Sequence, residues 1–500
     1  MNRQNHHNGW TRREWVGMGL GTGFLGAFGL AGCSTVPPRA RSVIFLVPDG
    51  MSAGVPPLAE AFSQRVRQRG THWHRLVTGG KATLGQFDMA SQNSLVTDSA
   101  AAASAWGSGR RVMNGVINQF RDGTRLTPLL PLLHERRVAT GLVTTARITH
   151  ATPAGFCASV PQRDQEDLIA LEYLRHQPDV LLGGGARHFQ PETRKEDGRD
   201  LVAEMAALGY TTVVDRVALR TGAATTARRL LGLFQADHLP YTIDHRQDGA
   251  LLETVPSLSE MTDAALSLLA RQDRPFFLMV EGARVDHAAH VNDAAGILWE
   301  QLAFDDALGV ALAFQERRPD TLIVVGSDHG NANPGLNGMG HGYRESTGCF
   351  QRLERATASV VSMLKELRAN PSVDVAAVGR VVEAGTGFRL NAVECRAVLD
   401  ALQQKPLREL DGQQANPPGM LGQILGNWTG IGWTGVTHTS DWTQSLAQGP
   451  GQEAFAGLVA NTGVFERFAE IYGIAQRNPE DTQAPEITLP AERAIADPTG

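Results

Sequence analysis

The stretch SVIFLVPDG, Ser42 to Gly50, indicates the class of fold. Its first six residues form an uninterrupted apolar and largely β-branched run, which is typical of a strand buried on both faces of a parallel sheet. The run ends at Pro48, and Asp49 follows it directly. Because open α/β sheets place their chemistry beyond the carboxyl ends of central strands, Asp49 is a candidate functional residue.

Further apolar runs alternate with helical patterns along the chain. Strands are predicted at 139–143, 180–182, 211–214, 230–234, 276–280 and 321–325. Helices are predicted at 166–175, 258–271 and 294–314, and a closing helix at 464–474. This order predicts an α/β fold with a mostly parallel, doubly wound central sheet and helices on both faces.

Composition sets one segment apart within the predicted main domain, residues 33–475. Residues 343–432 contain helical patterns at 353–367 and 392–403 between loops rich in Gly, Pro and Asn. We interpret this segment as an insertion of helices and loops between core elements. From Gln476 onward Pro, Asp, Glu and Thr dominate, so a disordered tail is expected over 476–500.

The first residues of the chain have the three parts of an export signal. Arg12 and Arg13 precede a Gly-rich apolar segment from Trp15 to Leu30, and the string LAGC ends at Cys33. Twin arginines address a protein to the export route for folded proteins, and a small-residue site before a cysteine marks cleavage and lipid attachment. We therefore expect a signal peptide over 1–32 and a periplasmic or cell-surface lipoprotein, anchored to a membrane through Cys33.

Net charge and cysteine content exclude several classes of protein. The formal net charge is −6 over 500 residues, which does not indicate a basic surface for nucleic acid. Besides Cys33, the chain has Cys157, Cys349 and Cys395, so at most one disulfide can form within it. No two cysteines have the close spacing of a cysteine zinc site, so a metal ion would need His and carboxylate ligands.

A serine at a predicted helix start is a candidate nucleophile. In TDSAAAASAWGSG, Thr97 to Gly109, a polar turn leads into an alanine run, so a helix should begin within a residue or two of Ser99. The unpaired amides and the positive dipole end of that helix favour a serine oxygen that becomes anionic and carries a phosphoryl group. An ordinary helix cap remains the alternative for this motif by itself.

Two later strands end in metal-binding residue types. FFLMVEGARVDHAAH carries Glu281, Asp286 and His290, and the four-residue spacing of the last two places both on one helical face. LIVVGSDHGN ends its strand with Asp328 and His329. One such residue would normally be a cap or a surface group, but several clusters at strand ends indicate a site for two zinc ions and one harder cation.

These motifs, in this order, make the chain resemble the alkaline phosphatases over most of 42–342 and again over 434–474. The motifs are PDGMS, TDSAAAASAW, HATPAGF, LLGGGARHF, LLGLFQADHLPY, PSLSEMTDAALSLL, VEGARVDHAAH, SDHGN and HTSDW. The resemblance implies hydrolysis of small-molecule phosphate monoesters through a covalent phosphoserine, with two Zn²⁺ and one Mg²⁺ as cofactors. It also allows a homodimer.

The resemblance implies a role for each matched residue. Ser99 would be the nucleophile, and Arg163 would clamp two phosphate oxygens, which a lysine cannot do. The implied metal ligands are Asp49, Asp328 and His329 for one zinc, Asp286, His290 and His438 for the other, and Asp49, Thr152 and Glu281 for magnesium.

Three features depart from the familiar pattern of the family. His150 and His287 stand where some members carry Asp and Lys, and a nitrogen ligand there would favour zinc or another transition metal over magnesium. Pro48 stands where glycine is more familiar. The chain between His329 and His438 is longer than in compact members, so spacing alone leaves His341 as an alternative third ligand, whereas the resemblance favours His438.

Three alternative functions fit this sequence less well. A sulfatase of the same metalloenzyme superfamily would need a CxPxR-type motif, but alanines follow Ser99. Phosphodiesterase relatives more often use threonine and lack the clamp assigned to Arg163. A catalytically silent zinc-binding lipoprotein is the alternative from another class, and the presence of Ser99, Arg163 and every candidate ligand argues against it.

Overall fold

The structure is a computed structural model that describes residues 40–405 and 412–483. The strands are β1 (Ser42–Pro48), β2 (Thr83–Asp88), β3 (Ala139–Arg147), β4 (Val180–Gly184), β5 (Tyr210–Val213), β6 (Arg229–Leu233), β7 (Phe276–Gly282), β8 (Thr321–Gly326), β9 (Gly330–Asn331), β10 (Gly335–Leu336), β11 (Ile431–Gly432), β12 (His438–Thr439), β13 (Thr443–Gln448) and β14 (Gly457–Ala460).

Helices surround these strands. They are α1 (Val55–Val66), α2 (His72–Thr78), α3 (Ser99–Ser108), α4 (Leu129–Glu135), α5 (Ala151–Cys157), α6 (Glu166–His176), α7 (Leu201–Ala207), α8 (Arg216–Arg220), α9 (Thr242–His245), α10 (Gly249–Thr254), α11 (Leu258–Arg271), α12 (Arg284–His290), α13 (Ala294–Arg317), α14 (Ser346–Gln351), α15 (Val360–Ala369), α16 (Val375–Thr386), α17 (Ala392–Leu402), α18 (Pro417–Thr429) and α19 (Asn461–Ile471).

Ten strands form one sheet in the order β14-β2-β13-β8-β1-β7-β3-β4-β6-β5. Hydrogen-bonded neighbours in this sheet run parallel, except that β13 is antiparallel to both β8 and β2. The predicted α/β fold with a mostly parallel central sheet is confirmed. Strands β8, β1, β7 and β3 are consecutive and parallel, so their carboxyl ends lie along one edge of the sheet.

Strand β1 is buried on both faces, as its apolar run predicts. Ile44 and Leu46 belong to the hydrophobic core on one face, and Val43, Phe45 and Val47 belong to the core on the other face. All five side chains are fully buried. Alternation of side chains along a strand therefore requires an apolar residue at every position, because neither face contacts solvent.

The described strands and helices begin and end within a few residues of most predicted bounds, and α11 has the predicted bounds. Strands β2, β13 and β14, at one side of the sheet, were not predicted. The sequence of β2, TLGQFD, mixes polar and apolar residues because most of its side chains are only partly buried. Such a strand lacks the apolar run that marks β1.

The predicted insertion contains helices α15–α18, which share a hydrophobic core of their own. The prediction of a single helix over 353–367 is wrong. A short 3₁₀ turn ends at Arg355, Ala356 is extended, and α15 begins after Ser359. Asp244 accepts hydrogen bonds from the Ser359 backbone N–H (2.8 Å) and hydroxyl (2.7 Å), so a tertiary contact favours the break.

The predicted disordered tail differs from the structure over its first residues. Asn478 is 7% exposed. Its Nδ2 donates to the backbone oxygens of Ser108 (2.8 Å) and Thr127 (2.9 Å). These contacts fix the chain beside the C-terminal end of α3, so order extends past Gln476. Residues 484–500 lie outside the described residues.

Cysteine pairing and membrane spans complete the description of the fold. Cys157, Cys349 and Cys395 are buried free thiols, so the described residues contain no disulfide. Within the same residues, no helix combines the length and the apolar character that crossing a membrane requires.

Candidate active site

The candidate nucleophile lies at the first position of α3. Asp98 caps this helix, because its side chain accepts a hydrogen bond from the Ala101 N–H at 2.9 Å. Ser99 is 2% exposed, and its Oγ lies 3.1 Å from His329 Nε2. The predicted helix start is confirmed, and the cap is Asp98 rather than the serine. The Ser99 hydroxyl is therefore available for contacts beyond its own helix.

The first group of candidate ligands consists of Asp49, Asp328 and His329, whose ligand atoms lie within 4.8 Å of one another. His329 Nε2 is 3.1 Å from Asp328 Oδ2 and 3.6 Å from Asp49 Oδ1. All three are fully buried. Asp49 follows β1 and the other two follow β8, so the pairing of these neighbouring strands brings them together.

The second group consists of Asp286, His290 and His438. His290 Nε2 lies 3.2 Å from Asp286 Oδ2 and 3.1 Å from His438 Nε2. The Nδ1 atoms of both imidazoles donate to backbone carbonyls, of Val436 at 2.7 Å and Thr97 at 2.9 Å. This tautomer leaves each Nε2 as a free ligand atom, which is the usual outer support of a metal-binding histidine. His341 is exposed and belongs to none of the groups.

The third group consists of Asp49, His150 and Glu281, so Asp49 belongs to two groups. Thr152, predicted beside them, is fully buried on α5, and its Oγ1 has no hydrogen-bond partner. His287, the other additional candidate, belongs to none of the three groups. Its ring centroid lies 5.7 Å from that of His150.

Buried polar atoms without partners occur in the groups that face Asp49. They are Asp49 Oδ1 and Oδ2, His150 Nδ1, Thr152 Oγ1, Glu281 Oε1 and His329 Nδ1. Native proteins rarely bury so many unpaired polar atoms together, because each loses its hydration without gaining a hydrogen bond. Carboxylate, hydroxyl and imidazole donors of this kind fit bound cations, so the residues present match the expected metal centre.

The electrostatics of the site also require positive charge. Burial, followed by the charges of Asp328, Asp286 and Glu281, raises the pKa of Asp49 well above its ordinary value. Burial raises the pKa of Glu281 to about 7. Cations between these carboxylates would offset both effects, because an adjacent positive charge favours the ionised form.

Gly50 allows two of the ligand segments to approach closely. Its φ is +65°, and a Cβ at this position would lie 2.5 Å from Asp286 Oδ1. Any other residue would be strained in this backbone conformation and would collide with a candidate ligand. The glycine after Asp49 therefore helps to bring the first and second groups together.

Arg163, the candidate clamp, lies beside both the nucleophile helix and the third group. Its Nη1 donates to Asp98 Oδ2 at 3.1 Å, and its Nη2 lies 3.2 Å from His150 Nε2. Asp98 therefore has two roles, since one of its oxygens caps α3 while the other orients the guanidinium. The sequence motif places Asp98 in the polar turn before α3 and indicates neither contact.

Residues 40–474 match the family described as alkaline phosphatase. The chain belongs to the alkaline phosphatase family. Among curated relatives, alkaline phosphatase 3 of Bacillus subtilis is 31% identical over 435 residues, which cover 85% of this chain and 87% of that protein. Streptomycin-6-phosphate phosphatase of Streptomyces griseus is 38% identical over 339 residues, covering 59% and 75% respectively.

Solved alkaline phosphatases have the same fold. The enzyme of Thermus thermophilus has a TM-score of 0.83 and 36% identity, covering 92% of this chain and 98% of that one. The cold-active enzyme of a psychrophilic Shewanella has a TM-score of 0.70 and 27% identity, covering 87% and 100%. This chain is therefore a phosphatase, and alkaline phosphatases generally use divalent metal ions.

In this alkaline phosphatase, several residues that contact the site were missed by sequence analysis. Thr144 Oγ1 donates to Glu281 at 2.5 Å, and Asn331 Nδ2 donates to Asp286 Oδ1 at 2.6 Å. The ring of His238 lies 4.6 Å from that of His287. Asn331 and His238 stand inside motifs that already mark the family, SDHGN and LLGLFQADHLPY, so position next to a strand end is the signal that would have found them.

Proposed function

We propose that this phosphatase hydrolyses phosphate monoesters through a covalent phosphoserine formed on Ser99. The observation that carries the proposal is the 3.1 Å distance from Ser99 Oγ to His329 Nε2, at the start of α3 and inside the group of candidate ligands. Ser99 Oγ attacks phosphorus, the bond to the alcohol oxygen breaks, and the alcohol leaves with a proton. Water then cleaves the serine phosphate and releases inorganic phosphate.

We assign one zinc ion to each of the first two ligand groups, as membership of the family implies. Asp49, Asp328 and His329 would hold one, and Asp286, His290 and His438 the other, which gives each zinc the three protein ligands of an open catalytic site. When bound, the metal ions supply Lewis acidity at the serine oxygen and at the leaving oxygen.

A third metal ion is assigned to Asp49, Thr152 and Glu281. An all-oxygen site of this kind suits Mg²⁺. His150 lies in the same group, and its partnerless Nδ1 favours Zn²⁺ or another transition metal over magnesium. The metal content of purified protein would decide between them.

Arg163 is proposed to bind two oxygens of the phosphoryl group. Its side chain is three-quarters buried, and the contact between Nη1 and Asp98 limits rotation of the guanidinium. A planar guanidinium offers two parallel N–H donors, whereas lysine offers a point charge. Because every proposed role concerns the phosphoryl group, we expect a broad range of alcohols.

Acid quenching during turnover tests the covalent step. The metal-loaded protein is mixed with an isotopically labelled phosphomonoester, quenched in acid and digested. Phosphoserine is expected at Ser99 in the wild type and absent in Ser99→Ala, with equal metal content in both. A wild-type protein that turns over substrate without a labelled serine would contradict the mechanism. Faster hydrolysis of a phosphodiester or a sulfate ester than of the monoester would favour the alternative activities.

Export and lipid attachment are also proposed, from sequence alone, because residues 1–39 lie outside the described residues. Arg12 and Arg13 would direct export, and Cys33 would carry the lipid, placing the catalytic domain of residues 33–475 in the periplasm or on the cell surface. Replacing both arginines with lysine should retain the precursor in the cytoplasm. Mass spectrometry that finds no acyl chain on the mature wild type would refute the anchor.

A homodimer is proposed as the assembly. An apolar groove of about 580 Å³ beside β2 is lined by Pro56, Trp73, Val77 and Leu84, among others. Val77 is 38% exposed and Leu84 is 49% exposed, and exposed apolar patches commonly mark subunit contacts. Light scattering should show a dimer that Leu84→Glu converts to a monomer, and a monomeric wild type would reject the proposal.

A further inference from the structure

Three imidazoles and three guanidinium groups cluster beside the third ligand group. The rings of His150, His238 and His287 lie 4.6 to 5.7 Å apart by centroid. Each imidazole contacts one arginine: Arg163 Nη2 lies 3.2 Å from His150 Nε2, Arg147 Nη1 2.7 Å from His238 Nε2, and Arg284 Nη1 2.8 Å from His287 Nδ1. A guanidinium only donates, so the contacted nitrogens are acceptors.

Two of the three arginines have carboxylate partners. Arg147 pairs with Glu166 at 2.5 Å and with Asp237 at 2.7 Å. Arg163 pairs with Asp98 at 3.1 Å. These charges are therefore balanced within the protein.

Arg284 differs from them. Across residues 40–405 and 412–483, no carboxylate oxygen lies within 4.0 Å of its guanidinium in an ion pair. Its Nε is buried and has no hydrogen-bond partner. The guanidinium stacks on the Tyr241 ring, with its central carbon 3.8 Å from the ring centroid. The charge of Arg284 favours the ionised form of buried Glu300. Glu300, however, already accepts a hydrogen bond at Oε1 from the Thr242 N–H. A partly buried, unpaired guanidinium is costly, and an anion would offset that cost.

The position of Arg284 relates it to the leaving group. Arg284 begins α12, the helix that also carries Asp286 and His290. Those two residues belong to the second ligand group, whose metal ion we assign to the leaving oxygen. His287, the partner of Arg284, follows Asp286 directly, and its ring is 5.7 Å from that of His150, which contacts the clamp Arg163. The unpaired charge is therefore linked to the clamp Arg163 through two imidazoles, His287 and His150, and is separate from it.

The stacking on Tyr241 and the contact with His287 hold Arg284 in one orientation. A cation held against an aromatic ring and an imidazole loses little side-chain freedom when it binds an anion. His238 Nε2 and His287 Nδ1 each accept a hydrogen bond from a guanidinium, and a protonated imidazole has no acceptor nitrogen, so both rings are neutral neighbours. Among the three arginines of this cluster, Arg284 therefore carries the positive charge that no carboxylate of the described residues balances.

We propose that Arg284 is a specificity-determining residue that binds an anionic substituent, a carboxylate or a second phosphate, on the alcohol portion of the substrate. This inference rests on the proposed monoesterase function and narrows its expected breadth. Monoesters whose alcohol carries a negative charge are then better substrates than neutral alcohols of the same size.

Three matched substrates test this proposal: glycerol phosphate, phosphoglycerate and glycerol bisphosphate. The first has a neutral alcohol portion, the second carries a carboxylate and the third a second phosphate. In Arg284→Gln, kcat/KM for the two anionic substrates should fall about tenfold relative to glycerol phosphate, the loss expected for one charge-assisted hydrogen bond. Arg284→Lys should restore part of the preference. A fall for only one anionic substrate identifies which anion binds.

The control variant is Arg389→Gln, which removes the same charge from an 84% exposed side chain on the insertion. It should leave the ratio of kcat/KM values unchanged. Competitive inhibition separates binding from turnover. In Arg284→Gln, the inhibition constant of phosphonopropionate, which carries a carboxylate, should rise about tenfold. The inhibition constant of propylphosphonate, which carries none, should change little.

An equal fall in kcat/KM for all three substrates in Arg284→Gln would show that Arg284 only supports the fold of the site. Unchanged kcat/KM values for all three would show that Arg284 binds no anion. Either outcome overturns the proposal. If the wild type hydrolyses none of the monoesters, the proposed function itself fails, which the glycerol phosphate assay alone reveals.

Discussion

The carboxyl edge of β8, β1, β7 and β3 and the insertion of α15–α18 are stabilised in different ways. At the sheet edge, fully buried strands bring together four buried carboxylates, Asp49, Glu281, Asp286 and Asp328. The insertion has its own apolar core and contains none of the grouped ligands. In the first region, the buried strands that form the core also position the candidate ligands. In the insertion, a substitution can change the apolar core without changing a candidate ligand.

The two regions meet at a few buried polar contacts. Asp293 Oδ2 accepts a hydrogen bond from the Val360 N–H at 2.8 Å, and Asp244 holds Ser359 and Ser362. Beyond the insertion, Asn292 Nδ2 donates to the Gly435 carbonyl at 2.8 Å, three residues before His438. The insertion is thus attached next to the loop that returns the last candidate ligand to the sheet edge.

The largest effect is expected from Asp49→Ala, because Asp49 belongs to two of the three ligand groups. The variant should lose about two metal ions per chain and all measurable phosphatase activity. Metal analysis by mass spectrometry and a monoester assay check this. Asp200→Ala, at the cap of α7, is the control and should keep both properties. Full metal content in the Asp49→Ala variant would show that Asp49 is not a metal ligand.

The next effect concerns the ligand that follows the insertion. His438→Ala should lower zinc content by about one ion and abolish turnover, because its Nε2 faces His290 Nε2 at 3.1 Å. His341→Ala, at an exposed position before the insertion, should bind zinc normally. The opposite ranking of these two histidines would place the third ligand at His341 and reject the grouping.

A pH effect is expected at the contact between the regions. Burial raises the pKa of Asp293 to about 6 from an ordinary value of 3.8. Between these values the folded state binds more protons than the unfolded state, so stability falls as pH rises from about 4 to about 6. Asp293→Asn removes this titration. We expect the change in unfolding free energy between about pH 3 and about pH 7, beyond both pKa values, to shrink by about 3 kcal/mol.

Denaturant unfolding at both pH values measures the change for Asp293→Asn. The comparison between pH values cancels any constant cost of the substitution, including a weakened bond to Val360. Asp200→Asn, at an exposed cap, should retain the wild-type pH dependence. The same dependence in Asp293→Asn would show that Asp293 does not titrate in this range.

The smallest effect is expected from Asp244→Ala, which removes hydrogen bonds to Ser359 and Ser362. The insertion should be destabilised by about 2 kcal/mol, since charged hydrogen bonds each contribute on the order of 1.5–3 kcal/mol and partners here regain water. Hydrogen exchange should rise in α15–α18 while metal content stays constant. Asp248→Ala, which caps α10 outside the insertion, is the matched control. Loss of metal from Asp244→Ala would contradict independence of the two regions.

Sequence reasoning succeeded where a strand is buried on both faces. β1, β7 and β8 are continuous apolar runs, and their ends carry Asp49, Glu281 and Asp328. It failed where burial is partial or set by neighbours. β2 is half-exposed, and the break before α15 coincides with a contact to Asp244, 115 residues away along the chain.

The sequence by itself determined the buried strands, the helix that begins at Ser99, the family and the residue types of the site, because local patterns and motifs express them directly. Only the tertiary structure decided which side chains meet. It placed His438 rather than His341 beside Asp286 and His290, and His150 beside Asp49 and Glu281. Within residues 40–405 and 412–483, it also left Arg284 without a carboxylate in an ion pair. These outcomes depend on strand order and on long-range packing, which bring together residues that are far apart in the chain.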